Sequence, residues 1–520
     1  MLLHCQVQTQ SSRRAASNAS IKPHMHTVSL LSGTIALLAG LSLANKSLSI
    51  DAKSNWGVWE GWGVSLAWWA KAFNRDDLAT IFFSRDSQVL NGSILPGLGF
   101  NIVRYNAGAS SYNTYNGTRM VTSPNAMSSR LVDGFWLDWG SKDPSSSSWD
   151  WTVDANQRAM LEKAKERGAD IFELFSNSPM WWMCYNHNPS GSSDGTTANL
   201  QSWNYDSHAI YLANIAKRAK DDWGITFQSV EAFNEPSSYY WKGDSGTQEG
   251  CFFTVSTMST VVGYLKNELA SRGLSTFIAG VDETSYDLAA STWQAFDDNT
   301  RNTIKRINVH GYQGGGGRRD TLYSLAHQSG KKLWNSEYGD GDETGISLFT
   351  NMLLDFVWLH PTAWVYWQAV DISGWGLIVG DNNKGTLGTA SPKFFVLAQF
   401  TRHVRPGMRI LSAPDSNTMA AYDEKAKKVV IVAANWDSAQ SITFDLSQFG
   451  QPGIDGSVVP RWSTVIRGAD AYTNYEDTTL KGGRFTAKFE SQHVQTFEVE
   501  GVVVSPSTCK TDRYSAVDEN

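Results

Sequence analysis

Charge is scarce in this chain. Asp, Glu, Lys and Arg make up 18% of 520 residues, and acids outnumber bases 51 to 44, a net charge of −7. No long basic run occurs, so a protein that tracks a phosphate backbone is not expected, and nucleic acid is excluded as a partner. No His/Cys spacing matches a metal site, so neither a metal nor another cofactor is expected. The run Gly314–Gly317 lacks the Lys-Ser/Thr of a phosphate loop and reads as a flexible loop. No repeat of 20–50 residues is present. Apart from Thr27–Ala44, no stretch approaches a membrane span. What the chain has is apolar and aromatic: 41% hydrophobic residues, with 22 Trp, 18 Tyr and 23 Phe. That content excludes a largely disordered protein. An excess of Trp over charge suits flat, weakly polar ligands.

The first 26 residues hold Arg13, Arg14 and Lys22 and no acid, and the apolar run that follows ends in Ser42-Leu43-Ala44. This pattern predicts a secretory signal over residues 1–44 with cleavage after Ala44. A membrane anchor is the alternative reading, and Met25 is an alternative start that shortens the leader. Removing the leader takes the net charge from −7 to −10 and leaves a secreted, extracellular, monomeric protein with no membrane partner. Cys5 leaves with it, so Cys184, Cys251 and Cys509 remain and at most one bridge forms. Cys184 and Cys251 fall on long loops after the third and fourth strands read below, and a disulfide between them is expected. Asn45, Asn91 and Asn116 begin glycosylation acceptor triplets.

Strand-like runs alternate with helix-period segments through the middle of the chain. The strands are read at Gly61–Leu66, Asn101–Ala107, Asp170–Phe175, Ser229–Phe233, Phe277–Val281, Ile307–His310, Lys332–Asn335 and Ala363–Trp367. Asp154 with Gln157 predicts a capping box and Gly168 the stop of one helix; another spans Ser207–Trp223 and ends at Gly224. Eight strand–helix units imply an α/β fold, a (β/α)8 TIM barrel over 60–400. From 401 to 504 the texture changes to short β-branched and aromatic runs between Gly, Asp and Ser turns, which predicts a C-terminal β-sandwich. A polar tail, 505–520, follows.

In such a barrel the chemistry lies where strands end. The fourth ends Phe233-Asn234-Glu235-Pro236 and the seventh Ser336-Glu337-Tyr338. A single glutamate there would read as a solvated rim charge. Two at opposite sides of one mouth are what a glycosidase needs, one carboxylic acid to protonate the leaving oxygen and one carboxylate to attack the anomeric carbon. Arg104, His310, Tyr312 and Trp367 end other strands and are candidate substrate-binding residues with Asn234. Arg104 and Tyr312 would hold Glu337 ionised. Glu235 would need to keep a proton near neutrality. Trp68, Trp181 and Trp182 are candidate stacking faces; for any one of them core packing is the better reading, and stacking is expected of at least one of the set. If Glu235 faces inward, strand alternation turns Asn234 away unless the strand end re-aims it.

These residues carry a family resemblance. Gly61-Trp62-Gly63, Ser178-Pro179-Met180-Trp181, Asn234-Glu235-Pro236, Val309-His310-Gly311-Tyr312, Ser336-Glu337-Tyr338 and the run from Phe400-Thr401-Arg402 to Arg405-Pro406-Gly407 resemble glycoside hydrolase family 30, over roughly Asn55 to Gly501. The Gly-Trp-Gly-Val-Ser-Leu-Ala-Trp-Trp opening is similar to the fungal endo-β-1,6-galactanases. The resemblance implies a retaining mechanism with Glu235 as acid/base, Glu337 as nucleophile and Asn234 on the sugar's 2-hydroxyl. It also implies that the sandwich borrows a strand from before the barrel, placed at 53–59. The substrate it implies is a polysaccharide, β-1,6-galactan of arabinogalactan side chains. A β-1,6-glucanase or xylanase of the same family is the alternative, and a non-catalytic carbohydrate-binding protein is the alternative of another class.

Overall fold

The computed structural model describes residues 44–372 and 374–505. The predicted leader up to residue 43, Cys5, Cys509 and the tail from 506 onward lie outside the described residues. Eight parallel strands close into a barrel: β1 (Gly61–Ser65), β2 (Ile102–Asn106), β3 (Ile171–Phe175), β4 (Ser229–Glu231), β5 (Phe277–Glu283), β6 (Ile304–His310), β7 (Lys332–Tyr338) and β8 (Ala363–Tyr366). Each pairs with its neighbours in chain order and β8 returns to β1. The strands read as unbroken buried runs because their inner faces fill the barrel while their outer faces meet helices.

The Gly-Trp-Gly opening has a packing cause. A Cβ at Gly63 would fall 2.7 Å from the Ile102 side chain, and one at Gly61 would fall 1.9 Å from Asn101 Oδ1. The two glycines therefore let β1 approach β2. Trp62 between them faces outward, donates from Nε1 to the Val404 carbonyl at 2.7 Å and packs on Phe400. It joins the barrel wall to the segment that leads into the C-terminal module.

That module is a β-sandwich. A six-stranded sheet runs in the order Arg409–Ile410, Thr418–Asp423, Lys428–Asn435, His493–Glu500, Arg461–Val465, Ala471–Tyr475. Its central strand, KVVIVAAN, is buried along nearly its whole length. One face (Val430, Val432, Ala434) belongs to the barrel-side core, the other (Val429, Ile431, Ala433) packs with Phe444, Phe485 and Phe497. Both faces being covered, apolar residues run without alternation.

The second sheet has three strands: Ala44–Ser49, Gln440–Asp445 and Arg484–Phe489. This corrects one expectation. The strand contributed from before the barrel is Ala44–Ser49, parallel to Gln440–Asp445, and not 53–59. The latter segment makes an isolated bridge, Val58 with Arg409, and flanking backbone hydrogen bonds to Met408 and Ile410. Its Gly57 at φ 106° and the tryptophan packing of Trp59 break the regular ladder.

A second correction concerns the capping box. Asp154 precedes the helix Ala155–Glu166 but its side chain makes no cap hydrogen bond. With φ at 54° it turns its carboxyl inward, where Gln157 Nε2 donates to it at 2.6 Å and Tyr105 Oη donates at 2.5 Å. Burial raises this carboxyl to about 7. Cys184 and Cys251 are free buried thiols, not the expected disulfide. Each has a backbone carbonyl as partner, Cys184 at Pro179 and Met180 and Cys251 at Phe252. Burial pushes both thiols up, Cys251 to about 12.

Candidate active site

Glu235 and Glu337 open onto one cleft of about 390 Å³ at the C-terminal mouth of the barrel. β4 is short, and just beyond it Glu235 takes a left-handed conformation, φ 48°. Its amide donates to the Asp282 carbonyl at 2.8 Å and its carbonyl accepts Trp241 Nε1 at 3.0 Å. The turn resolves the alternation problem: Asn234 and Glu235 both line the cleft. A non-glycine residue at positive φ costs free energy, and such residues gather at functional sites.

Arg104 on β2 is fully buried and serves three carboxylates at once. Its Nε donates to Glu173 at 3.0 Å, Nη1 to Glu337 Oε2 at 2.9 Å, and Nη2 to Asp282. Burial works against its charge, but those carboxylates outweigh it and raise its pKa further. Glu337 Oε1 accepts Tyr312 Oη at 2.9 Å. On the other glutamate, Tyr240 Oη donates to Oε2 and His310 Nδ1 lies 3.1 Å from Oε1. The same His310 nitrogen is 3.4 Å from Glu337 Oε1, and its Nε2 is 3.3 Å from Asp282 Oδ1. Burial alone would push the imidazole down; Glu337 and Asp282 overcome it and raise it to about 10. His310 is therefore a cation at neutral pH, facing both glutamates. Asp282, despite burial, is held at about 2 by Arg104 and His310.

Opposed effects act on Glu337. Burial pushes its carboxyl up, and with Glu235 and Asp282 close by it outweighs the downward pull of His310 and Arg104. Donors alone do not keep it in the usual carboxylate range, because the site holds more carboxylates than it has cations to face them.

The functional atoms of Glu235, His310 and Glu337 lie within 4.8 Å of one another. Such a trio has the compactness of a metal site, but its chemistry does not suit one. A protonated imidazole offers no lone pair, and both carboxylates already accept from Tyr240, Tyr312 and Arg104. One carboxylate oxygen of Glu235 and one of Glu337 lie within 4.8 Å of each other, so the two carboxylates share one small site.

Of the other residues singled out in the sequence, Asn234, Tyr312, Trp68 and Trp367 line the cleft, the two tryptophans edge to face at 5.0 Å. Arg104 and His310 lie beneath it, in contact with the carboxylates instead of the open cleft. Trp181 and Trp182 are elsewhere. Both are buried, with Trp181 Nε1 donating to Ser111 Oγ at 2.5 Å and Trp182 Nε1 to the Trp136 carbonyl at 2.8 Å. The turn Trp181–Met183 points them into an aromatic core with Trp136 and Trp149, so the stacking expectation fails for both.

Sequence reasoning missed Tyr240, Asp282, Arg130, Gln368, Asp371 and Trp375. Asp282 lies one residue past the point where the fifth strand was ended, and reading that strand to its acidic end would have found it. Tyr240 sits in the run Tyr239-Tyr240-Trp241, five residues after Glu235. Gln368 directly follows Trp367, where the eighth strand was ended, while Arg130, Asp371 and Trp375 lie further along the segments after β2 and β8 without a local signal.

A parallel barrel with two close carboxylates at its mouth, one after β4 and one at the end of β7, defines the class: a glycosidase scaffold. The family model described as O-glycosyl hydrolase family 30 matches residues 43–306. The endo-β-1,6-galactanase of Hypocrea rufa is 66% identical over 481 residues, 92% of this chain and 100% of that protein. The chain belongs to glycoside hydrolase family 30. In fold it is similar to a conserved exported protein from Bacteroides fragilis (TM-score 0.68, 18% identity, 87% of this chain and 100% of the other). A subfamily 8 xylanase of the family from Clostridium acetobutylicum is similar in the same sense (TM-score 0.63, 20% identity, 87% and 99%).

Proposed function

We propose that this chain is a secreted endo-β-1,6-galactanase that hydrolyses β-1,6-galactan by double displacement. The observation that carries the substrate is the 66% identity across the full length of the Hypocrea rufa endo-β-1,6-galactanase. The reading of the mechanism draws support from the two close glutamates and their unlike partners. In the first step Glu337 bonds to C1 of the galactosyl unit, the C1–O6 bond breaks, and Glu235 gives its proton to the departing oxygen. In the second, water bonds to C1, its proton passes to Glu235, and the ester to Glu337 breaks. Negative charge thus moves from Glu337 to Glu235 and back. The His310 cation, 3.4 Å from one and 3.1 Å from the other, faces it in both places. Asn234 holds the 2-hydroxyl; Trp367 and Trp68 supply apolar faces at the cleft.

Residues 60–400 act as the catalytic domain, with 401–504 and the preceding strand as its sandwich support. Cleavage after Ala44 leaves Asn45–Ser49 to pair with Ser441–Asp445, so export and the second sheet are compatible. No helix among the described residues is long and apolar enough to cross a membrane. Asn116 is the favoured glycan acceptor, exposed at the tip of the hairpin Thr114–Tyr115/Thr118–Arg119. Asn91 is a poor one, since its amide already donates to the Leu387 and Gly388 carbonyls. The deciding experiment is reducing-sugar release from β-1,6-galactan, β-1,6-glucan and xylan. Galactan is expected to be cut far faster, and equal rates on galactan and glucan overturn the assignment while leaving the family intact.

A further inference from the structure

We infer that Arg130 and Asp371 determine specificity by binding the vicinal 3- and 4-hydroxyls of the galactosyl unit on the glycone side of the cut bond. The inference rests on the galactanase reading above. Arg130 ends the turn Ser128–Arg130 in the loop after β2, and Asp371 lies on the short strand Val370–Asp371 after β8. Both line the cleft that holds the two glutamates. The guanidinium carbon of Arg130 sits 4.4 Å from the centre of the Trp68 ring, and one of its nitrogens is 4.0 Å from Asp371 Oδ2.

The side chain of Arg130 is 19% exposed, yet its guanidinium donates no hydrogen bond to any described residue. None of its nitrogens is a buried atom without a partner, so its donors stay open toward the cleft that it lines. Asp371, 10% exposed, is fixed in contrast: Gln368 Nε2 donates to its Oδ2 at 2.7 Å. The two loops are tied together, since Asn383 Oδ1 accepts from the Ser129 amide and from Ser128 Oγ, both at 3.1 Å. Asn383 belongs to the hairpin whose strand Ile378–Asp381 pairs with Val370–Asp371. Stacking on Trp68 sets the guanidinium plane, and the shared hairpin sets its distance from Asp371. Open guanidinium donors and a held acceptor side by side match two adjacent hydroxyls, each able to give and to take a hydrogen bond.

Their position fits the glycone. Glu235 protonates the leaving oxygen, so the aglycone lies on its side of the cleft, by Tyr240, Trp241 and Thr284. The galactosyl ring then lies toward Trp367 and Trp68. With its 2-hydroxyl at Asn234 beyond β4, its 3,4-edge points away from β4, toward the loops after β8 and β2. An acidic sugar is disfavoured, because Asp371 faces Arg130 and two further glutamates share the cleft. Galactose presents its 3- and 4-hydroxyls cis and glucose presents them trans. Moving one hydroxyl leaves Arg130 or Asp371 without its partner, and a site built on hydrogen bonds rejects such an analogue strongly.

The test is a cycle of substrate and enzyme changes. The parent, Arg130→Lys and Asp371→Asn are assayed on β-1,6-galacto-oligosaccharides whose glycone unit is intact or 4-deoxy, with thermal melting to verify folding. In the parent, removing the hydroxyl is expected to lower kcat/KM roughly ten- to a hundredfold, the weight of a hydrogen bond to a charged group. In either variant, already slowed on the intact sugar, the same removal should cost less than about threefold, since contacting groups are not additive. The variants stand on different loops, so one that melts early leaves the other to decide. Additive losses in the folded variants, or parent-like kcat/KM in both, overturn the inference while the galactanase reading stands. A parent that leaves the intact oligosaccharide uncut overturns both.

Discussion

The mouth of the barrel and the core between the two sandwich sheets are built on opposite terms. At the mouth, Arg104 and His310 are buried against the carboxylates of Glu173, Asp282 and Glu337, Arg104 touching all three and His310 the last two, and Glu235 and Asp282 both sit at positive φ, 48° and 51°. In the sandwich, Phe444, Phe485 and Phe497 meet at centroid distances of 5.1–5.2 Å with Val429 and Ile431 around them. Buried ion pairs seldom stabilise a fold relative to apolar packing of the same volume, while buried aromatics do so reliably. The mouth therefore holds the groups that chemistry requires at a cost in stability, and regions like the sandwich offset that cost. Substitutions in one should damage activity and in the other stability.

The largest expected effect is at the mouth. Glu337→Gln keeps the shape of the side chain and removes the proposed nucleophile, so turnover should fall by at least about 10³-fold on every substrate with little change in melting temperature. Glu235→Ala should fall comparably on galactan but keep its first step on an aryl glycoside, whose leaving group needs little protonation. Added azide should then speed that variant and give a β-azide product. Near-normal activity of Glu235→Ala on galactan, or a first product of inverted configuration, breaks the assignment of roles. In the sandwich, Phe497→Ala removes a fully buried ring and should cost about 3–5 kcal/mol. Denaturant unfolding checks this, and kcat/KM per folded molecule at low temperature should match the parent. A variant that unfolds at the parent's midpoint but loses turnover would reverse the comparison.

The same contrast explains what could be read from the sequence. Barrel strands were legible because strands buried on both faces are apolar runs with turn residues at each end, and the topology then says which ends carry chemistry. Glu235 and Glu337 followed from that rule. Trp181 and Trp182 were misjudged because a tryptophan in a core and one beneath a sugar look alike in sequence; the difference lies in where Ser178-Pro179-Met180 sends the chain. The borrowed strand was set some nine residues late, since Lys53–Trp59 is aromatic but interrupted by Gly57 at positive φ, while Ala44–Ser49 lies beside the leader that drew attention first. Arg130, Asp371 and Tyr240 come from loops, and the contacts that matter to them span up to 241 residues between Arg130 and Asp371. No local pattern records such a pairing.

A finer test of the mouth uses pH. As the proposed nucleophile Glu337 must be ionised to attack, and burial with the neighbouring Glu235 and Asp282 raises its pKa despite His310 and Arg104. The acid limb of kcat/KM should accordingly lie above the ordinary glutamate value of about 4.3. Tyr312→Phe removes a hydrogen bond to the anion and should shift that limb upward by roughly half to one pH unit, with a several-fold loss at pH 5 and less at pH 7. A limb that stays in place or moves down would show that Tyr312 does not hold the charged form.

The smallest expected effect lies among the loops around the mouth, at Glu249. This carboxyl is fully buried between the loops after β4 and β2, and its Oε1 accepts from the Val132 amide at 2.9 Å, the Ala109 amide at 3.2 Å and Ser110 Oγ at 2.6 Å. Its other oxygen has no partner among the described residues. Burial raises it to about 8, against the pull of Ser110, Lys71 and the two amides. A folded pKa above the unfolded one means that the folded state binds the extra proton, so this group's stabilising contribution is complete below about 4.3 and is lost as pH rises toward 8. Glu249→Gln keeps the accepting oxygen and removes the titration. It should leave stability near pH 5 within about 0.5 kcal/mol of the parent and raise it by about 1–3 kcal/mol at pH 8, flattening the profile of melting temperature against pH. Parallel profiles for parent and variant would mean that the carboxyl is charged in the fold, and that the buried polar groups of these loops follow the rule of the mouth and not that of the core.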